Sequence, residues 1–218
     1  MEPVLPTRSV EPHWENDMAE AAHDDLERLA KGGAADLAIL FEELRPRLER
    51  LVEFRLHPGL RGRVDTADIL QEAFLTISAR LSSFLESPDV SIFVWMRRLT
   101  LQCVVDTHRH HFRQKRNVGK EVKLSTPARG DETSLSIAHA LFDPRMSPSQ
   151  AAVLAEEIER MRQALDSMDE TDREVLALRH FERLSNNETA EELSLSATAA
   201  SNRYVRAMAR LAELMKLP

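Results

Sequence analysis

The residues in this 218-residue chain with the strongest claim to chemistry are polar and charged groups spaced to line single sides of helices. Near the C-terminus, Thr198, Ser201, Asn202, Arg203, Arg206 and Arg210 fall on the side of a predicted helix away from Ala200, Tyr204, Ala207 and Leu211. Arg and Asn can form bidentate hydrogen bonds with base edges in the major groove of DNA, and Ser, Thr and further Arg residues hold phosphates. The N-terminal end of such a helix enters the groove deepest. Ser201, Asn202 and Arg203 are therefore candidates for base edges, and Arg206 and Arg210 for phosphates. A second set, Arg98, Gln102, Asp106, Arg109 and Arg113, lies in the most basic part of the chain, and its spacings of four, four, three and four place it on a single stripe of a helix. A third group, Asp65, Asp68, Gln71 and Glu72, forms an acidic and polar ridge. By itself such a ridge is ordinary solvated surface.

Catalysis finds no support in these patterns, because no Gly-rich phosphate loop, nucleophile elbow or pocket-like carboxylate pair is present. His108, His110 and His111 have no carboxylate or cysteine at ligand spacing, so they suit phosphate contact or solvation better than a metal. Neither a metal nor a cofactor is expected.

The elements that must position these groups are helical. Glycine is scarce, aromatic residues make up 5% of the chain, and Leu, Ala, Glu and Arg abound. Leu26 and Leu29 mark a short helix stopped by Gly32-Gly33, and a second runs from Leu37 to Leu56 with a kink expected at Pro46. Asp65 can cap a third helix, whose Ile69, Ala73, Ile77, Leu81 and Leu85 recur every fourth residue. Ser87-Pro88 reads as N-cap and first position of a fourth, with Ile92, Met96, Leu99 and Cys103 on one face. Periodicity then fades from 117 to 147, the pattern of a flexible linker.

Beyond it, Leu154, Ile158, Met161 and Leu165 form a new stripe, and Thr171 with Glu174 has the spacing of a capping box. A second capping box, Ser185 to Glu188, opens a short helix, and Ser194-Leu195-Ser196 connects it to the helix bearing Arg203. This is a helix-turn-helix pattern. The expected architecture is all-α: an acidic tail over residues 1–23, a helical domain over 24–116, a linker over 117–147 and a helix-turn-helix domain over 148–218.

Composition fits a packed protein of the reducing cytoplasm: 43% of residues are hydrophobic and Cys103 is the sole cysteine. The N-terminus lacks the apolar core of a signal peptide, and no stretch approaches the ~20 apolar residues of a membrane helix. A net charge of −7 argues against indiscriminate coating of nucleic acid, so any binding must come from local stripes.

Apart from its first twenty or so residues and the linker, the chain resembles the extracytoplasmic-function (ECF) sigma factors of bacterial RNA polymerase. The segment Asp65-Thr-Ala-Asp68-Ile-Leu-Gln71-Glu72-Ala-Phe74-Leu75 looks like that family's clamp-binding helix. Phe93-Val94-Trp95-Met96-Arg97-Arg98-Leu99 resembles the entry to its promoter-melting helix, with Asp106 and Arg109 at later positions, and Arg203 with Arg206-Ala207 resembles the end of its recognition helix. The resemblance implies core RNA polymerase as partner, met at the β′ clamp by Asp65, Asp68, Gln71 and Glu72 and at the β flap by the second domain. It further implies promoter DNA, with the minus-ten element on Arg98, Gln102, Asp106, Arg109 and Arg113 and the minus-thirty-five element on the C-terminal helix, and it leaves room for an anti-sigma protein. The chain departs from the pattern at Gln102, where members commonly carry Asn, at Thr198-Ala199-Ala200, where they carry Gly-Thr-Val, and at Ser194, in a turn without glycine. A stand-alone helix-turn-helix regulator would leave residues 65–75 and the basic fourth helix unexplained. A helical scaffold that binds protein only is the rival from another class, and run-off transcription with reconstituted holoenzyme tells it apart.

Overall fold

In the computed structural model the described residues are 13–117, 129–141 and 151–215, with side chains described over 25–111, 133–141 and 153–215. They form eight α-helices: α1 (His13–Arg55), α2 (Thr66–Glu86), α3 (Ile92–Asn117), α4 (Arg129–Leu141), α5 (Ala151–Asp166), α6 (Glu170–Leu176), α7 (Asn186–Leu193) and α8 (Ala197–Leu214). The protein is all-α, as its composition implies.

The first three helices pack on one another because each carries an apolar stripe at helical spacing. Ile69, Ala73 and Ile77 of α2 are fully or almost fully buried against Leu37, Phe41, Leu48 and Val52 of α1 and Ile92, Met96 and Leu99 of α3. Asp65 caps α2 by accepting the Ala67 N–H at 2.9 Å. The break in α1 falls at Gly33, whose φ of 58° and ψ of −132° suit a residue without a Cβ, so Gly32-Gly33 interrupts the helix as expected. Pro46, where a kink was expected, lies inside the helix beyond that break.

Two N-termini differ from the sequence reading. Ser87 does not cap α3; it closes α2, donating its N–H to Phe84 O at 3.2 Å, because Pro88 excludes it from helical geometry. Helix α3 starts four residues later, with Trp95 N–H on Ser91 O at 3.0 Å. Helix α6 is capped by Asp169, which accepts from Thr171 and Asp172 at 2.9 and 3.3 Å, instead of by Thr171 with Glu174. An Asp is the better cap here, and the Glu174 carboxylate is drawn to Arg55 of α1.

Helix α4 lies within the segment read as linker. Its buried face consists of Thr133, Ser134, Ser136, Ile137 and Ala138, mostly small and polar residues that give no apolar period. It packs against α5, α6 and α1. Around it Ile137, Met161, Leu165, Leu176, Ala207 and Leu211 form a second core, which takes in Phe54 of α1. A π-helical stretch, Ala177–Phe181, prolongs α6, and its Phe181 ring stacks on Phe54 with centroids 5.1 Å apart.

The capping box of α7 is present in full: Glu188 N–H reaches Ser185 Oγ at 3.1 Å, and Ser185 N–H reaches Glu188 Oε2 at 2.7 Å. Helix α7 ends at Ser194, which holds φ 55° and ψ 42°, while Leu195 N–H folds back onto Ala190 O at 2.9 Å. Serine thus takes the left-handed place that glycine usually fills, at a cost of roughly 1–2 kcal/mol. Ser196 then caps α8 on Ala199 N–H at 3.2 Å, and Asn186 Nδ2 donates to Ala197 O at 2.8 Å, tying the two helices at their starts. The pair is a helix-turn-helix.

Candidate docking and nucleic-acid interfaces

Helix α2 turns Ile69, Leu70, Ala73 and Ile77 inward, which leaves Asp68, Gln71, Glu72 and Leu75 on its outward side. Asp65, Asp68, Gln71 and Glu72 are all exposed, and Leu75 continues the same face at 63% exposure. The ridge is open along its length. Leu75 was not among the candidate site residues; a large apolar group left out of the core beside Glu72 is the signal that marks it. Asp65 has a second task as the cap of α2.

On α3 the stripe divides. Gln102, Asp106 and Arg109 are exposed, with Arg109 Nη1 3.4 Å from Asp106 Oδ1. The Arg113 side chain lies outside the described residues. Arg98 is engaged: its Nε donates to Glu192 Oε2 at 2.9 Å and its Nη2 to Glu191 O at 3.3 Å, both on α7. Trp95 stacks on Phe84 at 4.3 Å, so the ring packs on the preceding helix. His108 differs from the phosphate or solvent role considered for it. Burial, with His57 and His111 nearby, pushes its pKa down to about 4, and its neutral Nε2 accepts the His57 N–H at 3.1 Å.

On α8 the inward residues are Ala200, Ala207 and Leu211, all buried, with Tyr204 half-buried. Thr198, Ser201, Asn202, Arg206 and Arg210 are exposed. Arg203 lies lower on the flank, and its Nη1 donates to Asp172 Oδ1 at 2.7 Å and Asp169 Oδ1 at 3.2 Å on α6. Val205 is 64% exposed between Asn202 and Arg206. The sequence reading passed over it, because a lone valine among polar residues carries no signal until the helix is known to leave it outside.

Several arginines and glutamates that no motif singled out meet deep in the fold. Arg97 is fully buried, with Nε on Glu182 Oε2 at 2.7 Å and Nη1 2.9 Å from Glu192 Oε1. Arg55 donates to Glu182 at 2.6 Å, to Glu174 at 2.5 Å and to Thr133 at 2.9 Å. Burial would raise the Glu174 carboxyl, but the charges of Arg55 and Arg97 and hydrogen bonds from Arg55 and Thr133 hold it at about 2. Arg47 chelates Glu188 at 2.8 and 2.9 Å, with its guanidinium 3.4 Å from the centroid of the Phe93 ring.

The helix-turn-helix and its supporting helices match the family model for region 4 of sigma-70 factors over residues 158–211. The similarity to sigma factors of RNA polymerase extends beyond this region. One relative is the RNA polymerase sigma factor CnrH of Cupriavidus metallidurans, 28% identical over 151 residues, which cover 69% of this chain and 73% of that protein. The solved structure of CnrH in complex with the cytosolic domain of CnrY aligns with 89% of this chain and 97% of that one, at TM-score 0.49 and 22% identity. Among the described residues no helix is long and apolar enough to cross a membrane.

Proposed function

We propose that this chain docks on the β′ clamp of core RNA polymerase through the α2 ridge, engages the minus-ten element through α3 and reads the minus-thirty-five element through α8. The observation that carries this reading is the exposure of Asp65, Asp68, Gln71 and Glu72 on α2 together with that of Ser201, Asn202, Arg206 and Arg210 on α8. Each face is charged for a different partner: a basic protein surface for one, DNA for the other. In the same scheme the C-terminal helices meet the β flap, and the protein works in the cytoplasm. An anti-sigma protein is a further partner, supported by homology to CnrH, which has been solved in a complex with the cytosolic domain of CnrY.

The test is run-off transcription. Core polymerase with this chain should initiate at promoters that core alone ignores, whereas a stand-alone regulator would bind duplex DNA without retaining polymerase, and a scaffold would do neither.

Val205 gives the reading a finer prediction. The apolar feature that bases present in the major groove is the thymine methyl group, which an exposed valine among polar residues fits. Replacing single thymines of the minus-thirty-five element by deoxyuridine should weaken holoenzyme binding about fourfold at one position, the worth of one buried methyl at ~0.8 kcal/mol. Val205→Ala should erase that sensitivity. Equal sensitivity in both proteins would take Val205 out of the base contact.

A further inference from the structure

Arg203 stands three residues after Ala200 and four before Ala207, and both alanines are fully buried. That spacing puts it on the stripe that α8 turns toward the fold. Thr198, Asn202, Val205 and Arg206, related to one another by the same steps of three and four, line the exposed side. An arginine on an inward stripe has to carry its charge out along the helix flank to water or to a partner. Here the partner is α6, where Nη1 meets Asp172 Oδ1 at 2.7 Å and Asp169 Oδ1 at 3.2 Å.

The carboxylate at the start of α6 is itself held in place. Asp169 caps that helix, and the same Oδ1 accepts the Thr171 and Asp172 N–H groups at 2.9 and 3.3 Å. Burial would raise its carboxyl, but those N–H groups and the Arg203 charge hold it below the ordinary aspartate value, so it stays an anion. At the far end of α6, in its π-helical prolongation, the Arg179 guanidinium lies 5.4 Å from the centroid of the ring of Tyr204, the next residue of α8. Two successive residues of α8 are thus tied to the two ends of one element. The inward residues nearest to them, Ala200 and Ala207, carry only methyl groups, which let helices approach closely but interlock weakly. Apolar packing there does little to fix the rotation of α8 about its own axis.

An arginine reads guanine by aiming two N–H groups at one base edge. With Nη1 on two carboxylates and its Cα on the inward stripe, Arg203 would have to abandon α6 to do so. We infer that Arg203 is a positioning residue: bound to Asp172 and Asp169, it sets the rotation at which α8 presents Thr198, Asn202, Val205 and Arg206 to the major groove, and it reads no base itself. Its type and spacing place it among the base-edge candidates, with Ser201 and Asn202; its two partners on α6 take it out of that set. The inference rests on the reading of α8 as the helix for the minus-thirty-five element, whereas the tie between α8 and α6 does not.

The experiment compares Arg203→Ala, Asp172→Ala, the two combined and the wild type, each as the full chain in reconstituted holoenzyme, on promoters that differ by single base changes in the minus-thirty-five element. At a temperature where circular dichroism shows all four proteins folded, Arg203→Ala should weaken binding by the same factor at every promoter, roughly fivefold, the most that one exposed ion pair contributes. Asp172→Ala should follow the same pattern, and the combination should be no weaker than Arg203→Ala alone. The dependence on salt should be that of the wild type. A loss confined to one base pair would make Arg203 a reader, and a salt exponent smaller by about 0.9 would make it a phosphate contact; either overturns the inference. Full affinity in both single variants overturns it as well, since the pair would then serve stability alone. Should wild-type holoenzyme ignore the minus-thirty-five element, the reading of α8 fails instead. Thermal melts of the same four proteins would still decide the tie: coupled losses support it, and additive losses overturn it.

Discussion

Reversing Asp68 and Glu72 to arginine will abolish binding of the chain to core RNA polymerase while leaving its helix content intact. The two residues stand one helical turn apart on α2, both exposed, and neither is joined to another element by a described hydrogen bond or ion pair. Reversal therefore removes no described internal contact. Asp68 lies in the first turn of α2, where loss of a favourable dipole interaction costs ~0.3–1 kcal/mol, too little to unfold the helix. Asp65 is left in place because it caps α2. At a basic docking surface each reversal turns an attraction into a repulsion worth several kcal/mol, so affinity should fall by more than about a hundredfold, equivalent to ~2.7 kcal/mol. Titration of labelled chain with core polymerase reads the loss, and circular dichroism confirms the fold. Unchanged affinity would remove α2 from the docking interface.

How much of this was legible in the sequence depended on whether the signal was local. The fourfold period of Ile69, Ala73, Ile77 and Leu81 is a property of one helix, and it marked Asp68, Gln71 and Glu72 as that helix's outward side. The Ser185 to Glu188 box and the Ser196 cap are contacts three residues long, and both stand as read. The left-handed Ser194 follows from the same logic, since a turn between those two caps needs such a residue. Helix α4 was illegible because its buried side is largely Thr and Ser, which periodicity counts as solvent-facing. The buried Arg97–Glu182 pair was illegible for a stronger reason: the two residues are 85 apart, and charges are read as surface until a structure pairs them. Arg98 shows both sides, a sound place in a helical stripe and a partner on α7 that no spacing could reveal.

Arg173 is the second residue whose loss should be large, and it too is a charge that the sequence hid. It is 8% exposed, and its Nη1 donates to three carbonyls, Leu165 O and Asp166 O at 3.1 Å and Met168 O at 2.6 Å. These belong to the C-terminal end of α5 and the turn after it, where carbonyls have no partner within the helix and the helix dipole favours a cation. One guanidinium thus ends α5 and sets the angle at which α6 departs; α6 in turn packs against α8. Arg173→Ala leaves those carbonyls facing a cavity. Hydrogen bonds to charged groups contribute about 1.5–3 kcal/mol, and the lost packing of the side-chain stem adds to that. A total near 3 kcal/mol should lower the melting temperature by roughly 6–12 °C for a chain of this size. Arg173→Lys should recover part of the loss, since an ammonium keeps the charge and can donate to several carbonyls from one nitrogen, but its stem is one bond too short to place that nitrogen where Nη1 lies. Promoter binding should fall with stability and recover on cooling, because the residue supports α8, the helix proposed to read DNA, only through α6. A thermal melt unchanged by Arg173→Ala would show that water satisfies the end of α5 equally well, and the orientation of α8 would then have to rest on Arg203 and its two aspartates.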